Sequence, residues 1–208
     1  MPSRRTFFKA VAGATLLVAS LRLSGALHRL SAGGAPASAS SWYVVQYSNL
    51  TPQLSLNDYV LFVDGEVENP LELTYGDLVK MPSLTIRDTL QCVSDPLFLR
   101  ADVEWTGVPL RHILEEAGVK QNAVKVVAIG ADGYSSDIPL NKAMEGDTLV
   151  AYMANGRPLP EVHGYPVRLV VPRWWGYKYT KWLVRIHVTN EDYLGYWESL
   201  GWPDVAKK

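Results

Sequence analysis

Gly and Pro cut this chain into pieces too short for a parallel, helix-linked sheet. From residue 59 to residue 188, strand-like runs alternate with short helices, and no connection has the length of a regular βαβ crossover. Residues 59–65 read as a strand entering a turn. Thr74-Tyr75-Gly76-Asp77 ahead of Leu78 and Val79 is a capping-type helix start, closed before Pro82. Residues 83–91 read as a strand. Trp105-Thr106-Gly107-Val108-Pro109 reads as a turn feeding a helix over 110–117, with Gly118 as its stop. Further strands are expected over 124–129, 148–153, 166–171 and 182–188. Ile138-Pro139 opens another short helix, and Asp132-Gly133 and Asn155-Gly156 are turns. The expectation is an α+β fold of mixed, curved sheets and short helices, in a single domain over residues 40–208.

The first 39 residues have a different character. Ser3-Arg4-Arg5-Thr6-Phe7-Phe8-Lys9 precedes an apolar run from Ala10 to Leu21, and small residues follow to Ala37-Ser38-Ala39. That is a signal-peptide layout, with an apolar run shorter than the roughly 20 residues a membrane span needs. The arginine pair followed by Phe and Lys matches the twin-arginine export signal. Export of a folded protein to the periplasm or another extracytoplasmic compartment is therefore expected. Five of the 20 basic residues and none of the 21 acidic ones fall in this segment. The remainder is acidic, which argues against nucleic acid as a partner.

Cys92 is the only cysteine. In an exported chain it has no internal disulfide partner, so it is either buried and inert or put to use. Asp95-Pro96 breaks regular structure just after it, which puts Cys92 where a strand runs out into a loop. Zinc is not expected. His112, His163 and His187 have no close ligand spacing, and there is no second cysteine. Arg168, Arg173, Trp174, Trp175, Tyr177, Lys178, Tyr179, Lys181, Trp182 and Arg185 crowd around Gly176. Basic groups between aromatic rings suit an anionic ligand with a flat ring, and equally a strand pair with solvated charges.

Leu90-Gln91-Cys92, Trp105-x-Gly107-Val108-Pro109-Leu110, Asn155-Gly156-x-Pro158-Leu159-Pro160, the run from His163 to Pro172, and Gly176-Tyr177-Lys178-Tyr179-Thr180-Lys181-Trp182 occur in that order. Together they resemble the molybdopterin-binding domain of the sulfite oxidase family, including relatives of the methionine sulfoxide reductase catalytic subunit type. The resemblance spans 59–202. It implies a mononuclear molybdenum oxidoreductase carrying a molybdopterin cofactor, with Cys92 as the thiolate ligand to the metal. It implies that Arg168, Lys181 and Lys178 hold the pterin and its phosphate, with Gly176 beside them. Asn49, Asn155 and His163 match positions lining the cofactor site. Tyr134 resembles a tyrosine facing the metal.

The departures bear on the substrate. In sulfite oxidases, arginines surround the anionic substrate. Here Leu97 and Ser48 stand at two of those positions, Asp95 lies close to Cys92, and the first base after the cysteine is Arg100. The expectation is oxygen-atom transfer with reduction of a neutral S-oxide or N-oxide. A sulfite oxidase-like dehydrogenase and a non-catalytic binding module of the same fold are the alternatives. No haem-attachment motif occurs, so electrons are expected from a separate partner: a membrane haem protein, a cytochrome or a quinone. The matched segment lacks the family's dimerisation domain, so a monomer is expected.

Overall fold

The computed structural model describes residues 42–208. The export signal expected in the first 39 residues lies outside them. The chain folds as strands β1 (Val60–Gly65) and β2 (Leu71–Thr74), helix α1 (Tyr75–Lys80), strands β3 (Leu84–Gln91) and β4 (Arg100–Pro109), and helix α2 (Leu110–Ala117). Strands β5 (Lys125–Gly130) and β6 (Ser135–Pro139), helix α3 (Leu140–Ala143), and strands β7 (Leu149–Ala154), β8 (Arg157–Pro158) and β9 (Arg168–Val170) follow. Strand β10 (Leu183–Thr189) and helix α4 (Tyr196–Ser199) complete it.

The strands form two sheets. One has the order β2-β1-β10-β5-β6, and β1 and β10 pair in parallel. The other has the order β3-β4-β7-β8, with β9 also on β7, all antiparallel. One parallel pair among antiparallel ones is the mixed α+β arrangement expected.

The local chemistry explains the elements. On β1, Leu61 and Val63 are buried while Phe62 faces out, the period-two pattern of a half-covered strand. Helix α1 starts on a capping box. Asp77 N–H donates to the Thr74 hydroxyl, and the Asp77 carboxylate accepts from Thr74 N–H. Helix α2 buries Leu110, Ile113, Leu114 and Ala117, one face at helical spacing. It ends at Gly118 with φ of 70°, which a side chain would strain.

The stretch 105–109, expected as a turn, is instead the second half of β4. Gly107 makes this possible. A Cβ there would stand 2.3 Å from the Val150 carbonyl oxygen, so glycine lets β4 and β7 close up at a register shift. Beyond β9 the chain loops round and pairs with itself. Leu169 N–H donates to Thr180 O and Leu183 N–H to Val167 O. This self-pairing joins β9 of one sheet to the start of β10 in the other, and the site lies along that seam.

Candidate active site

A cleft of about 330 Å³ opens along the seam. Each wall comes from a different element. Strand β3 delivers Cys92 at its end, β9 delivers Arg168, and the run from Gly176 to Lys181 leads back into β10. A 3-10 turn over Glu161–His163 brings in His163, and the β5–β6 turn brings in Tyr134. Five consecutive residues ahead of β1, Tyr43 to Tyr47, lie across the cleft.

Cys92 is half-buried. Its N–H donates to Leu99 O at 2.8 Å, fixing the loop that follows it. Gly176 packs against the same backbone. A Cβ on it would lie 3.0 Å from Gln91 O, a tight contact that glycine avoids where the turn Gly176–Lys178 meets the end of β3.

Arg168 is buried, with 3% of its surface exposed. Its Nη1 donates to His163 O at 3.0 Å and its Nη2 to Tyr179 O at 3.1 Å. Among the described residues Nε has no partner at all. The guanidinium lies 5.0 Å from the Trp105 ring and 6.0 Å from the Tyr179 ring. Aromatic faces and backbone carbonyls solvate it in part, but no carboxylate neutralises it. Burial pushes its pKa down to about 10. Lys181 donates to Val162 O at 3.1 Å and sits 4.3 Å over the Trp182 ring. Burial, then Arg168, push its pKa down to about 7. His163 stacks on Trp42 with ring centres 4.2 Å apart. Burial, Arg168 and Lys181 push its pKa down to about 4, so the imidazole is neutral at pH 7.

These shifts share one origin. Positive groups are desolvated together, Asp132 only partly offsets the charge of Lys181, and no Asp or Glu lines the cleft among the described residues. An unpaired buried guanidinium is costly, and an anion in the cleft relieves that cost. A phosphate-bearing pterin against Arg168, Lys181 and Gly176 therefore fits. So does a soft metal at the Cys92 thiolate. No three His, Cys, Asp or Glu side chains gather as a metal cluster among the described residues, so the remaining ligands come with the cofactor.

Tyr134 lies in the cleft wall, and its hydroxyl donates to Tyr177 O at 2.5 Å. Burial raises its pKa, keeping it a phenol. Cys92, Tyr134, His163, Arg168, Gly176 and Lys181 thus converge as the sequence suggested.

The other expected cofactor contacts do not. Lys178 is fully buried on the far side of its turn, with Nζ 2.5 Å from the Glu198 carboxylate, 3.5 Å from Asp137 and 2.7 Å from the Asp137 carbonyl. Lys181 thus turns its charge to the cleft and Lys178 to the interior. Asn155 occupies the β7–β8 turn with φ of 51°, its side-chain oxygen accepting from Glu104 N–H, and it does not line the cleft. Asn49 is exposed beyond Tyr47 and does not line it either.

Tyr43, Tyr47, Ser94, Trp197 and Trp202 line the cleft without having been singled out as candidates. The density of aromatics was visible, but the chain's return to the cleft at both ends was not. Neither Arg100 nor Arg173 lines the cleft. Arg173 is held by Asp147 at 2.5 Å and Glu145 at 2.7 Å. Asp95 caps its own loop, accepting from Phe98 N–H at 3.2 Å.

Residues 48–197 match the family described as oxidoreductase molybdopterin binding domain. Oxidoreductase YuiH of Bacillus subtilis is 35% identical over 68% of this chain and 71% of its own length. Mouse mitochondrial sulfite oxidase is 33% identical over 71% of this chain, which spans only 32% of that protein. In the crystal structure of sulfane dehydrogenase SoxCD from Paracoccus pantotrophus, the similarity covers 68% of this chain and 40% of that one, with 34% identity and a TM-score of 0.65. The chain belongs to the oxidoreductase molybdopterin-binding domain family, and it is a molybdenum-cofactor-dependent oxidoreductase of the sulfite oxidase type.

Proposed function

We propose that this protein reduces a neutral S-oxide or N-oxide, taking electrons from a separate carrier in an extracytoplasmic compartment. One observation carries the choice of substrate. Among the described residues the only Lys or Arg side chains lining the cleft are Arg168 and Lys181, which this reading assigns to the anionic cofactor. Leu97 points outward, 77% exposed, and Arg173 is committed to Asp147 and Glu145. A desolvated anionic substrate without a partner costs several kcal/mol or more, whereas a neutral oxide carries no such cost.

When bound, the cofactor supplies a metal that cycles between oxidation states and moves an oxygen atom. The chain's own residues prepare the site for it. Cys92 offers a thiolate, while Arg168 and Lys181 hold the anionic end of the cofactor and fix its orientation. Tyr47, Tyr134, Tyr177, Trp197 and Trp202 wall the cleft and limit water. Tyr134 keeps a proton on its phenolic oxygen across the physiological range, because burial raises its pKa. Reduction of the oxide consumes two electrons from the carrier and two protons, and releases water. The opposite direction, oxidation at sulfur, is what the names of sulfite oxidase and sulfane dehydrogenase say of those proteins. Here oxidation of anionic sulfite would require a cation in the cleft beyond the two assigned to the cofactor.

Steady-state assays with artificial carriers, comparing sulfite with dimethyl sulfoxide and methionine sulfoxide, test this reading. The expected result is S-oxide turnover with weak sulfite oxidation. A kcat/KM for sulfite orders of magnitude above that for the S-oxides would reverse it.

A further inference from the structure

We propose that Ser94 is a positioning residue that tunes the metal through the Cys92 sulfur; this rests on the reading of Cys92 as the thiolate ligand. The chain bends at Val93 and Ser94, and Ser94 Oγ comes to 3.0 Å from Cys92 Sγ. Both residues line the cleft. The contact is not left to a loose loop. Gln91 Nε2 donates to Pro96 O at 2.8 Å, Cys92 N–H to Leu99 O at 2.8 Å, and Leu99 N–H to Asp95 O at 3.0 Å. Among the described residues the Ser94 hydroxyl has no other protein partner.

The direction of this hydrogen bond follows from the chemistry. A free thiol and a hydroxyl can each donate. A metal-bound thiolate has no proton and can only accept, so the hydroxyl becomes the donor. A hydrogen bond to a ligand sulfur draws electron density out of the metal–sulfur bond. Proteins set redox potentials at sulfur-ligated metals in this way. Weaker donation from sulfur stabilises the oxidised metal less than the reduced one, so the midpoint potential rises. A higher midpoint favours uptake of electrons from the carrier. Outer partners of metal ligands commonly have this role, and Ser94 is the side chain placed to fill it here.

The test uses full-length protein loaded in a cofactor-producing host, as parent, Ser94→Thr, Ser94→Ala, Ser94→Val and Cys92→Ala. The molybdenum EPR signal is followed through a mediator-buffered redox titration, with metal content measured on the same samples. The expected result is a lower midpoint in Ser94→Ala and Ser94→Val, a midpoint near the parent's in Ser94→Thr, and full metal content in all three. An unshifted midpoint in Ser94→Ala and Ser94→Val would overturn the proposal. A shift in Ser94→Thr matching that in Ser94→Val would do the same. Loss of metal from the alanine and valine variants alike would also overturn it, since Ser94 would then hold the loop rather than tune the metal. Cys92→Ala separates the two readings. An EPR signal there identical to the parent's removes Cys92 as ligand. A changed signal there, beside unshifted Ser94 variants, removes only the role of Ser94.

Discussion

The Arg168 guanidinium lies 5.0 Å from the Trp105 ring, in a pocket where its Nε meets no acceptor among the described residues. A buried cation held by ring faces and backbone carbonyls, with its Nε unpaired, is built for an anion that arrives later. Arg168→Ala and Lys181→Ala should each weaken cofactor retention. The loss is roughly 1.5–3 kcal/mol for each charge-assisted hydrogen bond removed, about a ten- to hundredfold change in affinity. Pterin released from equal amounts of purified variant and parent measures it. Unchanged pterin in both variants would make these residues ordinary interior cations.

The buried pair of Lys178 and Glu198 calls for the opposite behaviour. Nζ lies 2.5 Å from the carboxylate, and both side chains are fully buried. Lys178→Met should destabilise the fold by about 3–5 kcal/mol, because it leaves the buried Glu198 carboxylate without its cationic partner. Cofactor affinity per folded molecule should stay near the parent's. Thermal unfolding together with pterin content checks this. Normal stability with lost pterin would return Lys178 to the cofactor site.

Acid should act through His163. Its folded pKa of about 4 lies below the ordinary histidine value, since burial and then Arg168 and Lys181 disfavour the charged ring. Between about pH 6.5 and 4 the unfolded chain binds a proton that the folded chain does not. The fold therefore loses stability as pH falls through that window, by on the order of 2–3 kcal/mol. The loss should be largest in cofactor-free protein, where no anion offsets the positive neighbours. Unfolding of cofactor-free parent and His163→Gln across this range measures it. Parallel pH profiles for the two proteins would remove His163 as the source.

The elements set by local chemistry were legible in the sequence. The Thr74–Asp77 capping box, the Gly118 stop and the Asn155-Gly156 turn each depend on neighbours a few residues apart, and each occurs as expected. Strand β4 was not legible over 105–109, because Gly107 marks a close approach of β7, which lies far along the chain. The same distinction divides the site. Cys92, Arg168 and Lys181 follow from motif order. The inward turn of Lys178 depends on Glu198 and Asp137, and the place of Tyr43 to Tyr47 across the cleft depends on the tertiary path. No local pattern encodes either.

Replacement of Arg4 and Arg5 by lysines should trap the precursor inside the cell. This follows from the proposal that Arg4 and Arg5 belong to a twin-arginine address, which a receptor reads through the guanidinium's planar, forked donors that an ammonium does not reproduce. Fractionation followed by immunodetection measures it. Normal export of the double variant would point to the general secretory route.

X-ray absorption at the molybdenum edge, on parent and Cys92→Ser protein loaded alike, tests the central claim most directly. Cys92 stands at the end of β3 beside the cationic pocket, and its sulfur is the ligand we propose the chain offers to a soft metal. The account predicts one sulfur scatterer fewer around molybdenum in Cys92→Ser, with the pterin still bound. The same sulfur count in both proteins, at equal metal content, would contradict it.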